Sequence, residues 1–233
     1  MEQVVLDPVE YRIDRQSMSE RLRLKAGSRQ MEEVERLIRE AETVAHPKAI
    51  YRMVFIESRG DHHVAAGGMR FESRVLKVNL DSHHRFFIFV VTSGRELDAW
   101  AQSRTDLLER FWADAINQAV VISARSFLHR HLQERYGLAK TAHMSPGSLP
   151  DWPLTEQRIL FDLLGDTRKA IGVELTESML MMPIKSVSGI AFENEDGYAN
   201  CQLCPREDCP GRRVPYDPGL YERKYRDPLK SSR

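Results

Sequence analysis

The stretch Arg85-Phe-Phe-Ile-Phe-Val-Val-Thr92 is the most apolar run in the chain. Its aromatic and β-branched side chains do not alternate with polar ones, so both of its faces need cover. That is the pattern of a buried central strand. Ser93-Gly94 ends it, and Glu96-Leu-Asp-Ala-Trp-Ala101 begins a helix. Between Asp106 and Arg135 there is no Gly or Pro. Leu107, Leu108, Phe111, Ala115, Ala119, Ile122, Phe127 and Leu128 recur there at helical spacing, which predicts one long helix ending near Gly137.

Upstream, residues 50–57 are rich in β-formers and predict a second strand. Ser28 is placed to cap a helix that carries Met31, Val34, Leu37, Ile38, Ala41 and Val44 on one face, with His46-Pro47 as its stop. Val4 to Ile13 alternates loosely, as an entry strand would. Gly67-Gly68 marks a turn, and Phe71 to Leu80 reads as a short helix with Val75 and Leu76 inward. Downstream, Ala142 to Pro153 holds three prolines and a glycine, which excludes helix and interior strand. Thr155 to Leu164 reads as an amphipathic helix. Val173 to Leu175 and Ser186 to Phe192 read as strands on either side of Met179-Leu-Met-Met-Pro183. Strands mixed with helices in no regular βαβ alternation give an α+β class.

The length suits one domain over 1–233, with 200–233 as an irregular extension that contains the cysteines. A formal net charge of zero gives no reason to expect a nucleic-acid partner. No run is long and apolar enough to span a bilayer, and the start Met1-Glu-Gln-Val-Val-Leu-Asp-Pro is not that of a signal peptide. A reducing cytoplasm is the expected setting.

All three cysteines fall in Cys201-Gln-Leu-Cys204-Pro-Arg-Glu-Asp-Cys209. Thiolates at such spacings hold zinc or an iron–sulfur cluster. The count favours a [4Fe–4S] cluster with one site not held by cysteine, and His143 is a candidate for a fourth donor. Free thiols, or a redox pair at Cys201 and Cys204, remain the other reading. The loop around Gly147 could line a ligand with bare backbone, with Trp152 either covering an aromatic ring or lying in the core. The methionines at 179, 181 and 182 could line a pocket for a large flat ligand, but core packing accounts for most of them, as for Trp100 and Trp112. The pairs His62-His63 and His83-His84 lie beside turns and are expected to be exposed. Asp114 would face whatever the long helix packs against.

Several of these residues resemble a known family. Ile171-Gly-Val-Glu-Leu-Thr-Glu-Ser178, then Met181 or Met182 before Pro183, then Ser186-Val-Ser-Gly189 and Phe192, resemble the activation domain of vitamin B12-dependent methionine synthase. Ser145-Pro146-Gly147 falls where that family has a ligand-wrapping Pro-Gly loop. Phe71-Glu-Ser-Arg-Val-Leu76 and Thr92-Ser-Gly94-Arg-Glu96-Leu97 look like the front half of its stand-alone relatives.

The resemblance implies a C-shaped α+β fold with a central, mostly antiparallel sheet and flanking helices. It implies S-adenosylmethionine in a shallow groove that draws on His143, Ser145, Pro146, Gly147, Glu177 and Tyr198, with Asp114 as a further candidate. It also implies docking on a cobalamin-carrying protein for reductive methylation of the corrinoid, with a redox partner as electron source. His143 stands where the family has a carboxylate-binding arginine, and Ser148 where it has a tyrosine. The expected role is an activation subunit of a corrinoid methyltransferase. A metal centre on Cys201, Cys204 and Cys209 could then donate electrons locally. The alternative is a non-catalytic binding or scaffold protein that keeps the fold, with zinc stiffening its C-terminal loop.

Overall fold

The computed structural model describes residues 3–194, 197–209 and 212–226. The strand at the centre is β5 (Arg85–Thr92), buried at every position but Arg85. On one side it pairs antiparallel with β2 (Lys48–Arg59), on the other with β9 (Ser186–Glu193). β6 (Thr141–Met144) forms the edge beyond β9. The far end of β2 is continued by a hairpin, β3 (His63–Ala66) and β4 (Met69–Glu72), which turns at Gly67 and Gly68, both at positive φ. β1 (Gln3–Leu6) pairs with the first half of β2. All pairings in this sheet are antiparallel, as expected. A separate two-residue hairpin joins β7 (Glu174–Leu175) to β8 (Met181–Met182).

Helices cover both faces. The long helix α5 (Leu107–Tyr136) is capped by Asp106, which accepts from the N–H groups of Leu108 and Glu109, and ends at left-handed Gly137. Its Val121, Ala124, Leu128 and Leu132 pack on Tyr51, Phe87, Phe89 and Val91 of the sheet. Its first half packs instead against α1 (Arg15–Arg21), α2 (Arg29–Val44) and α4 (Arg95–Gln102), with Leu37, Ile38, Trp112 and Ile116 between them. The other sheet face meets α3 (Arg74–Asn79), α6 (Gln157–Leu164), α7 (Thr167–Ile171) and the C-terminal segment. There Phe86, Ile88, Val90, Trp152, Leu160 and the fully buried Tyr225 form the largest cluster. At about 25 cal/mol per Å² of apolar area, burial on both faces of β5 is the main force holding the layers together.

Several expectations need correction. The entry strand stops at Leu6, because Pro8 has no N–H to continue the ladder. Phe71 belongs to β4 rather than to a helix, and α3 begins after its cap Ser73. Leu107, Leu108, Phe111 and Ile122 share the helical period but are exposed, since they lie on the side of α5 turned away from the buried Trp112, Ile116, Val120 and Val121. Of the two readings for Trp152, the structure shows it fully buried in the core. His83 is half-buried, its Nε2–H donating to the Glu193 carbonyl at 2.8 Å and its ring lying edge-on to Phe192.

Candidate functional site

The sequence motifs meet around β9. At its first residue, the Ser186 hydroxyl lies 2.7 Å from the Pro183 carbonyl and 3.0 Å from Thr92 Oγ1. Thr92 Oγ1 in turn accepts from the Gly94 N–H at 3.2 Å, and the Lys185 carbonyl accepts from the Ser93 N–H at 3.1 Å. The Thr92-Ser-Gly94, Met182-Pro183 and Ser186-Val-Ser-Gly189 stretches thus share one polar network. Gly189 explains the last of these motifs. A Cβ there would sit 2.4 Å from the Met144 carbonyl oxygen and 2.9 Å from Ser145 Oγ. Only glycine lets β6 and the loop after it lie this close.

That loop folds on itself. The Ser145 carbonyl accepts from the Ser148 N–H at 3.1 Å, and the Trp152 carbonyl accepts from the Gly147 N–H at 2.8 Å. Pro146 is buried, Ser145 half-buried, and Gly147 exposed at φ +78°. The loop is therefore a rigid turn with bare backbone at its tip. Trp152 is its hydrophobic root, and Asp151 bonds Ser73 and the Val75 N–H at the head of α3.

His143 lies on β6 with its ring towards α5, 5.0 Å between centroids from His129. Tyr198 belongs to the core of the opposite sheet face. The two are not side by side. Burial, then Arg125, His129 and Arg213, pushes the His143 imidazole well below its ordinary range. Burial, Arg125 and Arg213 push His129 down to about 4. His129 Nδ1 bonds Thr141 Oγ1 at 2.9 Å, while its buried Nε2 has no partner among the described residues. Two neutral imidazoles thus adjoin two guanidinium groups. Arg125 and His129 could have been found from their i, i+4 spacing on α5. Nothing local in the sequence announces Arg213.

Tyr198 is 6% exposed, and its hydroxyl donates to Asn200 Oδ1 at 2.9 Å. Burial above all, then the nearby Tyr225, Asp151 and Cys201, keeps the phenol protonated far above its usual range. It forms part of a cleft of about 530 Å³ at the Glu193 end of the sheet, with Phe55, Asn79, His83, Arg85 and Phe192. His83 Nδ1 is buried there without a partner among the described residues. The cleft could not be read from the sequence, because its walls come from four separate segments.

Asp114 is exposed and pairs with Lys185 at 2.9 Å, beside the first residue of β9 and at the opposite end of that strand from Tyr198. Glu177 is also exposed, and its carbonyl accepts from Arg158 at 3.3 Å. The structure thus joins Ser145, Pro146 and Gly147 in one turn and places His143, Tyr198, Asp114 and Glu177 apart around it.

The cysteines are free and half-buried. Burial raises the Cys201 thiol, but the Arg213 N–H and side chain and the Val214 N–H outweigh it and draw the thiol below its ordinary range. Among the described residues, no three or more His, Cys, Asp or Glu side chains are grouped to hold a metal ion. Among the described residues, a zinc or iron–sulfur centre on Cys201, Cys204 and Cys209 has no assembled donor set behind it. No described helix is long and apolar enough to cross a membrane.

Residues 86–209 match the family model described as vitamin B12 dependent methionine synthase, activation domain. Among solved structures, the crystal structure of the MetH reactivation domain bound to AdoHcy is similar, with a TM-score of 0.60 at 17% identity. The match covers 84% of this chain and 80% of that one, and at this identity it speaks for the fold. No curated protein matches the chain.

Proposed function

The chain belongs to the activation-domain family of vitamin B12-dependent methionine synthases, and from that premise we propose that it acts as a stand-alone, single-domain activation subunit for a corrinoid methyltransferase. It docks on a cobalamin-carrying protein and presents S-adenosylmethionine to it. When bound, S-adenosylmethionine supplies a sulfonium methyl for reductive methylation of the partner's corrinoid, with the electron coming from a redox partner.

The work of this chain is placement. The turn at Ser145, Pro146 and Gly147 offers hydroxyls and bare backbone to the ligand's polar groups. Tyr198 and the cleft beside it supply aromatic walls. His143, held neutral, brings no charge for a carboxylate, but Arg125 and Arg213 stand next to it and bring two. The donor chemistry of the site therefore suits an amino-acid carboxylate even though position 143 is not arginine. Glu177 and Asp114 serve at the rim, facing the partner. The observation that carries this reading is the contact of Gly189 with Met144 and Ser145, which brings two motifs of the matched stretch into one structure.

Calorimetry with S-adenosylmethionine and S-adenosylhomocysteine tests it. Binding is expected, and a Gly147→Val substitution should weaken it at least about tenfold by blocking approach to the backbone. No heat with either ligand would overturn the reading. It would favour a non-catalytic binding protein, for which the bonded, buried Tyr198 hydroxyl already speaks.

A further inference from the structure

The cysteine turn has a geometry that the proposed function does not use. Cys201 lies in a 3₁₀ turn, Asn200–Leu203, and Cys204 directly follows it, its N–H donating to the Cys201 carbonyl at 3.3 Å. A 3₁₀ helix repeats every three residues, so side chains at i and i+3 eclipse. Three steps of about 2 Å put the two Cα atoms about 6 Å apart on one face, inside the range that a disulfide spans.

The turn is also fastened from outside. The Arg212 guanidinium donates to the Cys201 carbonyl and to the Cys204 carbonyl, each at 3.2 Å, and also to that of Arg206. The intervening pair is pinned as well. Gln202 receives the Asp217 N–H at its carbonyl and the Ala199 N–H at its side chain, and Leu203 is buried in the main core. Cys209 lies outside this repeat, its carbonyl taken by the Arg212 N–H at 3.0 Å. The turn therefore holds two part-exposed free thiols three residues apart, with no third donor grouped on them among the described residues.

We propose that Cys201 and Cys204 form a reversible dithiol–disulfide couple that exchanges with small-molecule disulfides of the glutathione type. Cys201 sulfur attacks one sulfur of the disulfide and expels one thiol, leaving a mixed disulfide. Cys204 sulfur attacks Cys201 sulfur, closes the ring and expels the second thiol. The two protons of the cysteines pass to the two expelled sulfurs, so two thiols are oxidised as one disulfide is reduced. The couple stands independently of the methyl-transfer reading.

The test equilibrates the full chain, purified without oxygen, with mixtures of reduced and oxidised glutathione. Samples are acid-quenched and alkylated, and the cysteine peptides are mapped by mass spectrometry. The expected product is a Cys201–Cys204 disulfide that reverses with added reduced glutathione, while Cys209 is alkylated throughout. In Cys204→Ser the reaction should stop at a glutathione adduct on Cys201. Arg212→Lys should lower the equilibrium constant for ring closure about tenfold, with melting compared to show that the fold is kept. The proposal is overturned by any of three results: no Cys201–Cys204 link at any ratio, a link that involves Cys209, or a stoichiometric metal that shields all three thiols in the anaerobic protein.

Discussion

The two ends of β9 are built differently. At Ser186 the polar groups of the motif stretches answer one another, and at Gly189 the edge strand presses to van der Waals distance. At Glu193 a cleft opens, a buried histidine nitrogen lacks a partner among the described residues, and the chain turns into the cysteine segment. The first end is structure that holds a loop in place. The second has space and unspent polar groups, which is what a ligand requires. Motif resemblance drew attention to the first end, while the open cleft lies at the second.

The largest effect should come from the root of the loop at the closed end. Trp152→Ala removes a fully buried indole and should cost about 4 kcal/mol in urea unfolding. If the loss were within about 1 kcal/mol, the loop would not depend on the core as described.

The next effect is one of pH. His129 is neutral in the folded state down to about 4, against 6.5 when unfolded. Its contribution is complete above pH 6.5 and is lost as pH falls from 6.5 towards 4, because the unfolded chain takes up the proton first. The loss from this group is about 3 kcal/mol, and His143 acts in the same direction. Denaturation midpoints across that window should fall with acid in the native chain. His129→Gln should flatten the slope without abolishing it, and an unchanged slope would show that the imidazole is not buried.

Gly189→Ala should destabilise by about 2 kcal/mol, since the new Cβ meets a backbone oxygen that cannot swing aside. At the open end, Tyr198→Phe should cost about 1 kcal/mol for the lost bond to Asn200, and it should alter ligand affinity more than Gly189→Ala does per unit of stability lost. The reverse ranking would move the binding site to the closed end. Smallest of all, Asp114→Ala should change stability by about 0.5 kcal/mol, because its partner Lys185 meets it at the surface.

Much of the scaffold was legible because burial writes itself as periodicity. An unbroken apolar run marked β5, and Ser28 and Gly137 marked helix ends through hydrogen bonds local to them. The β3–β4 hairpin escaped because its four-residue strands are too short to show a period, although its Gly67-Gly68 turn was plain. Leu107 and Phe111 misled because spacing reports a helical face and not what lies opposite it. At the candidate site, the residues of one loop were readable together. The meeting of Arg125, His129 and His143 with Arg213 was not, since it depends on where the sheet edge and the last segment cross.

Tyr225, fully buried with its hydroxyl on Asn79 Oδ1, gives the C-terminal segment a second fixed point besides Tyr198. Between them the cysteine turn behaves as a link in a chain tied down at both ends. Such a link cannot relieve a local change by letting the tail go slack. Next to Cys201, Asn200 accepts from the Tyr198 hydroxyl, so the turn begins at the residue that anchors one of those fixed points.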